Sequence, residues 1–537
     1  MKNNHLNSKI RRAILFFDTK ISFFSKHALF TLAILGTIGF VIRLFYLEPD
    51  IPLRKDSFDN FLYASNIISL GHLPHGWSPA NNGWPIFLSI FFKLANFNNA
   101  ISYMQLQLLL SIIISVLTII PLYLLCKKFV GTQYSIIGSS MFVFEPRIIQ
   151  NSLIGITEPL YILLVVSSLV LITSKKTVFV LLSFGICSSA VIVRTEAILL
   201  FFVISVLFLI NNKKEKFVLI KYFIALLIFV SILIPNMMYK LDVIGNDGLI
   251  DRIMNSVENY DKTASYYEGQ SKGSVVTALL TGFENYSKFL LWITIPVFIL
   301  FLPTGVYVLF KKLNINNMII ILFIILMSIP AFYAYSYPHL DTRYLYVIYP
   351  MFSIISLFTI KLFVDKSEAK NMILFIILVG VISSSIIFLS IKEEESDMEA
   401  FLIAKDVVDF AKGIDTSSKV SSYINQVEVI QKWPLSFPSD ESKFIYSVSR
   451  FPVSNYNTLE DFLIILKNKQ LTHLVLDGAE DAPKFLNDIF YHEERYPYLV
   501  KIYDSFERGY NYHVKIYEID YSKFELGYNT KNYLIQN

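Results

Sequence analysis

Asp56 and Asp59 lie in a polar stretch, residues 54–84 (RKDSFDNFLYASNIISLGHLPHGWSPANNGW), that interrupts two apolar runs. If the chain is helical from Asp56 to Tyr63, then Asp56, Asp59 or Asn60, and Tyr63 share one face. Two carboxylates so held are either part of a solvated loop or part of a reaction centre. Further along, Glu and Arg recur in FEPRIIQ (Glu145, Arg147), ITEPLY (Glu158), VRTEAILL (Arg194, Glu196) and HLDTRYL (His339, Asp341, Arg343). Any one of these reads equally well as a helix-end charge meeting water and lipid headgroups. As a set they point to a shared polar cavity, because ionised groups left unpaired near hydrocarbon are costly.

The elements that must position these groups are membrane helices. Of 537 residues, 54% are hydrophobic and 17% charged, and mean hydropathy is +0.51. That is too apolar for an ordinary soluble enzyme. The charges cluster, leaving uncharged runs long enough to cross about 30 Å of hydrocarbon. Spans are expected near 27–46, 101–126, 130–148, 157–173, 177–193, 196–211, 217–238, 288–310, 317–335, 344–363 and 372–391. Residues 84–97 are apolar but short, as an interfacial or re-entrant piece would be. Residues 1–26 carry Arg11, Arg12, Lys20 and Lys26 and no cleavage-site pattern, which reads as a cytoplasmic basic flank before a retained first helix. The only cysteines, Cys126 and Cys187, sit in apolar runs, so no disulfide framework is expected.

Sidedness follows from the lysines. With the N-terminus inside and eleven crossings, the inner links are Lys127-Lys128, Lys175-Lys176, residues 213–216, Lys311-Lys312 and residues 361–370, each short and Lys-bearing. The positive-inside rule asks for that alternation. The acids and arginines above then fall at outer helix ends or in outer loops, chiefly 47–100 and 240–284; the second loop is polar and is expected to hold interfacial helices and a mobile stretch. After residue 391 the texture changes, and residues 392–537 are charge-rich with no spanning run. Helical periodicity appears at 397–411 and 458–469, and strand candidates at 420–424, 444–449, 473–477, 500–504 and 512–519. This predicts a small α/β domain on the outer side. Nothing points to nucleic acid as a partner.

In order along the chain, the motifs resemble those of GT-C superfamily glycosyltransferases, in the branch of dolichyl-phosphate-mannose protein mannosyltransferases and lipid A aminoarabinose transferases. Asp59-Asn60-Phe61-Leu62-Tyr63-Ala64 followed by Leu70-Gly71 is similar to the family's first-loop pattern. Gly83-Trp84-Pro85 stands where Pro-Pro-Leu is usual. Glu158 resembles the acid that opens the family's fourth helix, and Arg194-Thr195-Glu196 resembles an Arg-Pro-Glu segment. Arg343 to Pro350 resembles an Arg-Tyr-Leu-x-Pro segment, with a slightly different spacing. The family often has Asp-Glu where this chain has Asp59-Asn60, and Asp56 on the same face is the candidate substitute. The resemblance spans most of residues 27–391 and implies a polytopic α-helical membrane enzyme of about 11 transmembrane helices, with an extracytoplasmic α/β domain at the C-terminus.

It also implies a chemistry. An outward-facing transferase has no cytosolic nucleotide sugar, so its hexosyl or pentosyl donor is a polyprenyl (dolichyl-type) phosphate sugar, and its acceptor is a protein, glycan or lipid at the cell membrane. Single displacement inverts the anomeric carbon and needs one carboxylate base and cations at the leaving phosphate. A phosphate leaves without an acid to protonate it, unlike the leaving group of a glycosidase. Asp59 is the expected base and Asp56 the second choice. Arg343 is the first choice for the donor phosphate, then Arg194 and Arg147, since guanidinium binds phosphate oxygens in bidentate fashion. An ion pair with Asp341 is the plain alternative for Arg343. Asn60, Tyr63, Glu158, Glu196, His339 and Asp341 complete the cavity and acceptor set. No metal site is assigned: His72 and His75 are three apart beside Gly71 and Pro74, and solvated histidines compete with a divalent cation held by a first-loop acid and a histidine. Two other readings stay open, a polysaccharide polymerase or ligase and a transporter or flippase of lipid-linked sugars. The second usually shows inverted repeats and mid-membrane charges, which are not evident here.

Overall fold

Long apolar runs without internal charge give helices, because in hydrocarbon every backbone polar group must be satisfied within its own segment. The structure, a computed structural model, describes residues 18, 26–47, 53, 55–75, 78–95, 97, 100–213, 216–250, 275–311, 314–336, 340–391, 403, 458–468, 473–477 and 483–526. It falls into two units: residues 1–47, 70–94 and 105–393, and residues 48–69, 95–104 and 394–537.

The first unit is helical. In chain order the described helices are α1 (Ala28–Phe45), α2 (Lys55–Leu70, mostly in the second unit), α3 (Gly83–Leu94), α4 (Ala100–Leu117), α5 (Ile119–Phe129), α6 (Thr132–Val143), α7 (Pro146–Ser152), α8 (Glu158–Ile172), α9 (Thr177–Val193), α10 (Ile198–Asn212), α11 (Val218–Ile244), α12 (Val275–Trp292), α13 (Leu302–Lys311), α14 (Ile315–Tyr335), α15 (Tyr349–Val364) and α16 (Lys370–Ile391). Among the described residues, seven segments are long and apolar enough to cross a membrane, and Gly83–Leu94, Glu158–Ile172 and Thr177–Val193 are shorter apolar helices. The short helix expected near 84–97 is α3. Three expected spans are divided: 101–126 between α4 and α5 at Thr118, 288–310 between α12 and α13, and 130–148 between α6 and α7, where Pro146 opens the new helix. Proline is compatible with a first helical turn because its missing N–H would have no intrahelical partner there.

In the second unit, α17 (Leu459–Asn468) and α18 (Lys484–Tyr491) pack on a three-stranded antiparallel sheet. Its strands are β1 (His473–Leu476), β2 (Leu499–Asp504) and β3 (Lys515–Ile519), in the order β1-β3-β2. Leu474 faces Tyr517 across β1 and β3, and a bulge between Lys501 and Tyr503 interrupts β2. Phe462, Leu463 and Leu466, spaced by one and three on α17, are fully buried against Leu474, Ile489 and Tyr517. The strands expected at 420–424 and 444–449, and the helix expected at 397–411 apart from residue 403, lie outside the described residues, as do residues 251–274 of the second outer loop.

Candidate active site

Helices α8 and α9 are joined by residues 173–176 and pack as neighbours. An antiparallel pair of similar length brings the start of one helix beside the end of the other. The start of α8 is Glu158, followed by Pro159, and the residue after α9 is Arg194 in extended backbone. An acid at a helix N-terminus and a base at a helix C-terminus each complement the macrodipole. The two side chains meet: Arg194 Nη1 pairs with Glu158 Oε1, and Nη2 lies 3.3 Å from Glu196 Oε1. Their side chains are only 12% and 4% exposed for Arg194 and Glu158, so the charges are opposed where hydrocarbon and protein leave little water to screen them.

A third segment completes the cleft. Residues Thr342–Ile348 form a 3-10 turn between α14 and α15, and Asp341 caps it, its Oδ1 accepting the Arg343 backbone N–H at 2.8 Å. Asp341 Oδ2 also takes Arg343 Nε at 2.6 Å and Nη2 at 2.6 Å. Tyr335 at the end of α14 donates its hydroxyl to the Asp341 carbonyl at 2.8 Å. The cleft so formed is lined by Glu158, Tyr161, Arg194, Glu196, Arg343 and Tyr344, with Met327 and Pro330 of α14 as its apolar side. The Arg194 guanidinium sits over the rings of Tyr161 and Tyr344, at 5.8 Å and 5.7 Å from their centroids.

The cleft is braced from α3. Gly83 packs against α9 so closely that a Cβ there would lie 2.6 Å from the Val193 nitrogen and 2.8 Å from the Ile192 carbonyl carbon. The adjacent Trp84 is fully buried and donates its indole N–H to the Gly155 carbonyl at 3.0 Å. One residue thus abuts the position before Arg194, and the next fixes the backbone three residues before Glu158. The preceding loop is tied down as well: Asn81 Oδ1 accepts the Thr195 N–H at 3.3 Å, and Lys240 and Tyr239 of α11 donate to the Ala80 and Pro74 carbonyls, each at 2.7 Å.

Of the expected set, Glu158, Arg194, Glu196 and Arg343 come together in this cleft, with Asp341 bonded to Arg343. Arg147 does not line it. Its Nη1 bonds Glu145 at 3.3 Å and the Ile295 carbonyl, and its guanidinium lies between the rings of Trp292 and Phe388, 5.1 Å and 4.9 Å from their centroids. Asp56 and Asp59 are exposed on α2, while Asn60 and Tyr63, which share the Asp56 side of the helix, are buried, Asn60 donating to the Asp56 carbonyl at 2.6 Å. His339 lies outside the described residues. His72 and His75 stand with ring centroids 5.0 Å apart, and among the described residues no group of three His, Cys, Asp or Glu is placed to hold a metal ion.

Several contributors escaped the sequence reading. Tyr161 and Tyr344 are two of 32 tyrosines, and nothing in their spacing sets them apart. Arg43 carries a signal that was there to read, a lone charge inside a membrane span. It is fully buried and donates to Ser152 Oγ at 3.0 Å, Ser115 Oγ at 3.1 Å, and the Gly39 and Val143 carbonyls at 3.0 Å and 3.1 Å. It therefore holds both ends of the 143–152 corner that carries Glu145 and Arg147.

No family model and no curated protein matches the chain. Solved structures do. Archaeal oligosaccharyltransferase AglB from Archaeoglobus fulgidus, in complex with an inhibitory peptide and a dolichol-phosphate, aligns with a TM-score of 0.50 at 12% identity, over 84% of this chain and 70% of that one. ArnT from Cupriavidus metallidurans aligns in the apo state with a TM-score of 0.52 at 9% identity, over 92% of this chain and 98% of that one. The same enzyme bound to undecaprenyl phosphate gives 0.51 at 7% identity, over 90% and 97%. The chain has the GT-C fold. Its helices continue into a C-terminal sheet-containing unit, and the alignment with ArnT runs across nearly the whole of both chains.

Proposed function

We propose that this protein is a membrane glycosyltransferase that moves a sugar from a polyprenyl-phosphate donor to an acceptor at the outer membrane face. The observation that carries the reading is the cleft of Arg194, Arg343, Glu158 and Glu196 at the ends of apolar helices, in a GT-C fold. Neighbours of that fold are bound to dolichol-phosphate and undecaprenyl phosphate. Arg343 is the donor-phosphate ligand in this reading. Its side chain is paired with Asp341 and 30% exposed, whereas Arg194 is engaged by Glu158 and Glu196 and only 12% exposed. Asp341 offers Arg343 one oxygen for two N–H groups, whereas a phosphate in its place would present two, the bidentate geometry that guanidinium favours.

The cavity beside these groups encloses about 10 Å³, near the room one water needs. Donor entry therefore requires the Arg343 side chain to swing from Asp341. Asp59 is the base that takes the acceptor proton as the sugar–phosphate bond breaks. Asp56, on the same face of α2, is the second choice. Inversion follows from a single displacement.

The test is transfer by purified protein in lipid nanodiscs, given a polyprenyl-phosphate hexose and an extract of surface glycans. Asp59→Asn is expected to lower transfer by about 10²–10⁴-fold, the range for a lost general base, with donor binding retained. Arg343→Lys keeps the charge but loses the fork, so it is expected to weaken donor binding. Transfer at the wild-type rate by Asp59→Asn removes Asp59 as the base. Vectorial movement of the lipid-linked sugar without glycosidic bond formation removes the enzyme reading.

A further inference from the structure

Away from the cleft, three helices of the first unit diverge around an apolar groove. At one end α1 and α16 meet, Tyr46 Oη and Ser390 Oγ lying 3.1 Å apart. Toward their N-terminal ends a cavity of about 300 Å³ opens between them, floored by Gln133, Ile136 and Ile137 of α6. Its walls are Leu35 and Ile38 on one side and Leu374, Leu378 and Ile382 on the other.

The groove is graded along its length. Its polar members, Thr31, Gln133 and Asn371, are the fourth, second and second residues of their helices, so all three sit at the same end. Everything beyond them is hydrocarbon. From Asn371 to Ile382 the helix rises about 16 Å at 1.5 Å per residue. One leaflet is about 15 Å thick, half of a 30 Å core. A slot one leaflet long, polar at one end and apolar for the rest, has the dimensions and polarity of a single lipid tail with its headgroup at the helix N-termini. An empty groove of this kind would forfeit dispersion contacts along all three helices.

We propose that the groove between α1, α6 and α16 binds an anionic phospholipid by one acyl chain. The headgroup end carries the positive charge to prefer an anion: Lys26 is exposed just ahead of α1, and Lys370 opens α16 with its ammonium 3.5 Å from Asp365. Three helix N-termini add their partial positive charge there. Carboxylates lie at this end too, offset by the exposed Lys366: Asp365 beside Lys370, the exposed Glu368, and Asp18, which accepts from the Asn371 side chain at 3.0 Å and the Met372 N–H at 2.9 Å. The groove's length separates an acyl chain from a polyprenyl tail, which would overrun it into the closed Tyr46–Ser390 end.

Photo-crosslinking tests this on the full chain in phosphatidylcholine nanodiscs doped with a phosphatidylglycerol that carries a diazirine in its tail. The label is expected on peptides of α1 and α16, and excess unlabelled phosphatidylglycerol is expected to remove it. Leu378→Trp and, separately, Ile137→Trp fill the slot and should abolish that label. Phe202→Trp, at a position 54% exposed on α10, should leave it intact. Leu378 is only half-buried, so this variant still reports if Ile137→Trp fails to fold. Equal labelling in monodisperse Leu378→Trp and wild type overturns the proposal. So does the absence of label on α1 and α16, or displacement by polyprenyl phosphate but not by phosphatidylglycerol.

Discussion

Glu158 and Arg194 form a pair that is costly to break from one side only. With both partners present the desolvation of each charge is offset by the other, and Glu196 shares the guanidinium at 3.3 Å. Removing one partner of a buried pair leaves an uncompensated charge, which typically costs about 3–5 kcal/mol. Glu158→Ala is therefore expected to destabilise the helical unit by about that amount, read as a lowered denaturation midpoint in mixed micelles. Glu158→Gln, which keeps an acceptor for Arg194 Nη1, should cost less. Equal midpoints for wild type and Glu158→Ala would mean that Glu196 alone satisfies Arg194. The same arithmetic explains why Arg343 and not Arg194 is assigned to the donor. Among the five charged groups here, three are acids and two are arginines, so an incoming phosphate must displace a carboxylate, and the more exposed Arg343–Asp341 pair yields at lower cost.

At the scale of elements, the close approach of α3 to α9 is what aligns the Glu158 and Arg194 segments. Gly83 is needed there for lack of a side chain, since backbone atoms lie where a Cβ would go. Gly83→Ala is expected to cost about 1–3 kcal/mol, the usual range for overpacking, and to weaken polyprenyl-phosphate binding because the strain falls on the residue before Arg194. Gly380→Ala in α16, with nothing within 4 Å of a new Cβ, is the matched control: it should not lower stability, since Ala favours a helix interior over Gly, and should leave binding unchanged. Unchanged stability and binding in Gly83→Ala would remove the bracing role. This contact also marks the limit of what the sequence carries. Glu158 and Arg194 were legible because Glu and Arg recur at the ends of apolar runs that the lysine pattern puts on one side, and α17 because its apolar spacing is helical. Gly83-Trp84-Pro85 was visible only as a motif, since the partners of Gly83 and Trp84 are more than 70 residues away and no local periodicity encodes them. The breaks at residues 144–145 and 293–301 were missed because hydropathy averages over a window and does not register where a helix stops and restarts within apolar surroundings.

For the molecule as a whole, the sidedness of the helices is the condition on which the outer-face reading stands. The seven helices that meet the length and composition for crossing include α1, α11, α14 and α16, and the shorter α8 and α9 lie between lysine-bearing links. Helices of 15 and 17 residues are at the lower edge of what spans hydrocarbon unaided, so hydropathy alone does not count the crossings, and the lysine alternation must. From it, residues 127–128, 175–176 and 361–370 are expected on one side, and residues 71–82 and the C-terminal unit on the other. Both native cysteines are buried and should be silent to a membrane-impermeant maleimide, which makes single added cysteines readable in the otherwise native chain. His72→Cys and Glu507→Cys are expected to label in intact cells. Lys176→Cys and Lys366→Cys should label only after the membrane is opened. A protein with one crossing fewer between residue 176 and residue 507 would label Lys176→Cys and Glu507→Cys from the same side. That outcome would move the C-terminal unit to the cytoplasmic face and leave a membrane-carried donor without its rationale, because nucleotide sugars would then be within reach of that unit. Opposite-side labelling of the pair, with His72→Cys following Glu507→Cys, is the result the lysine pattern demands.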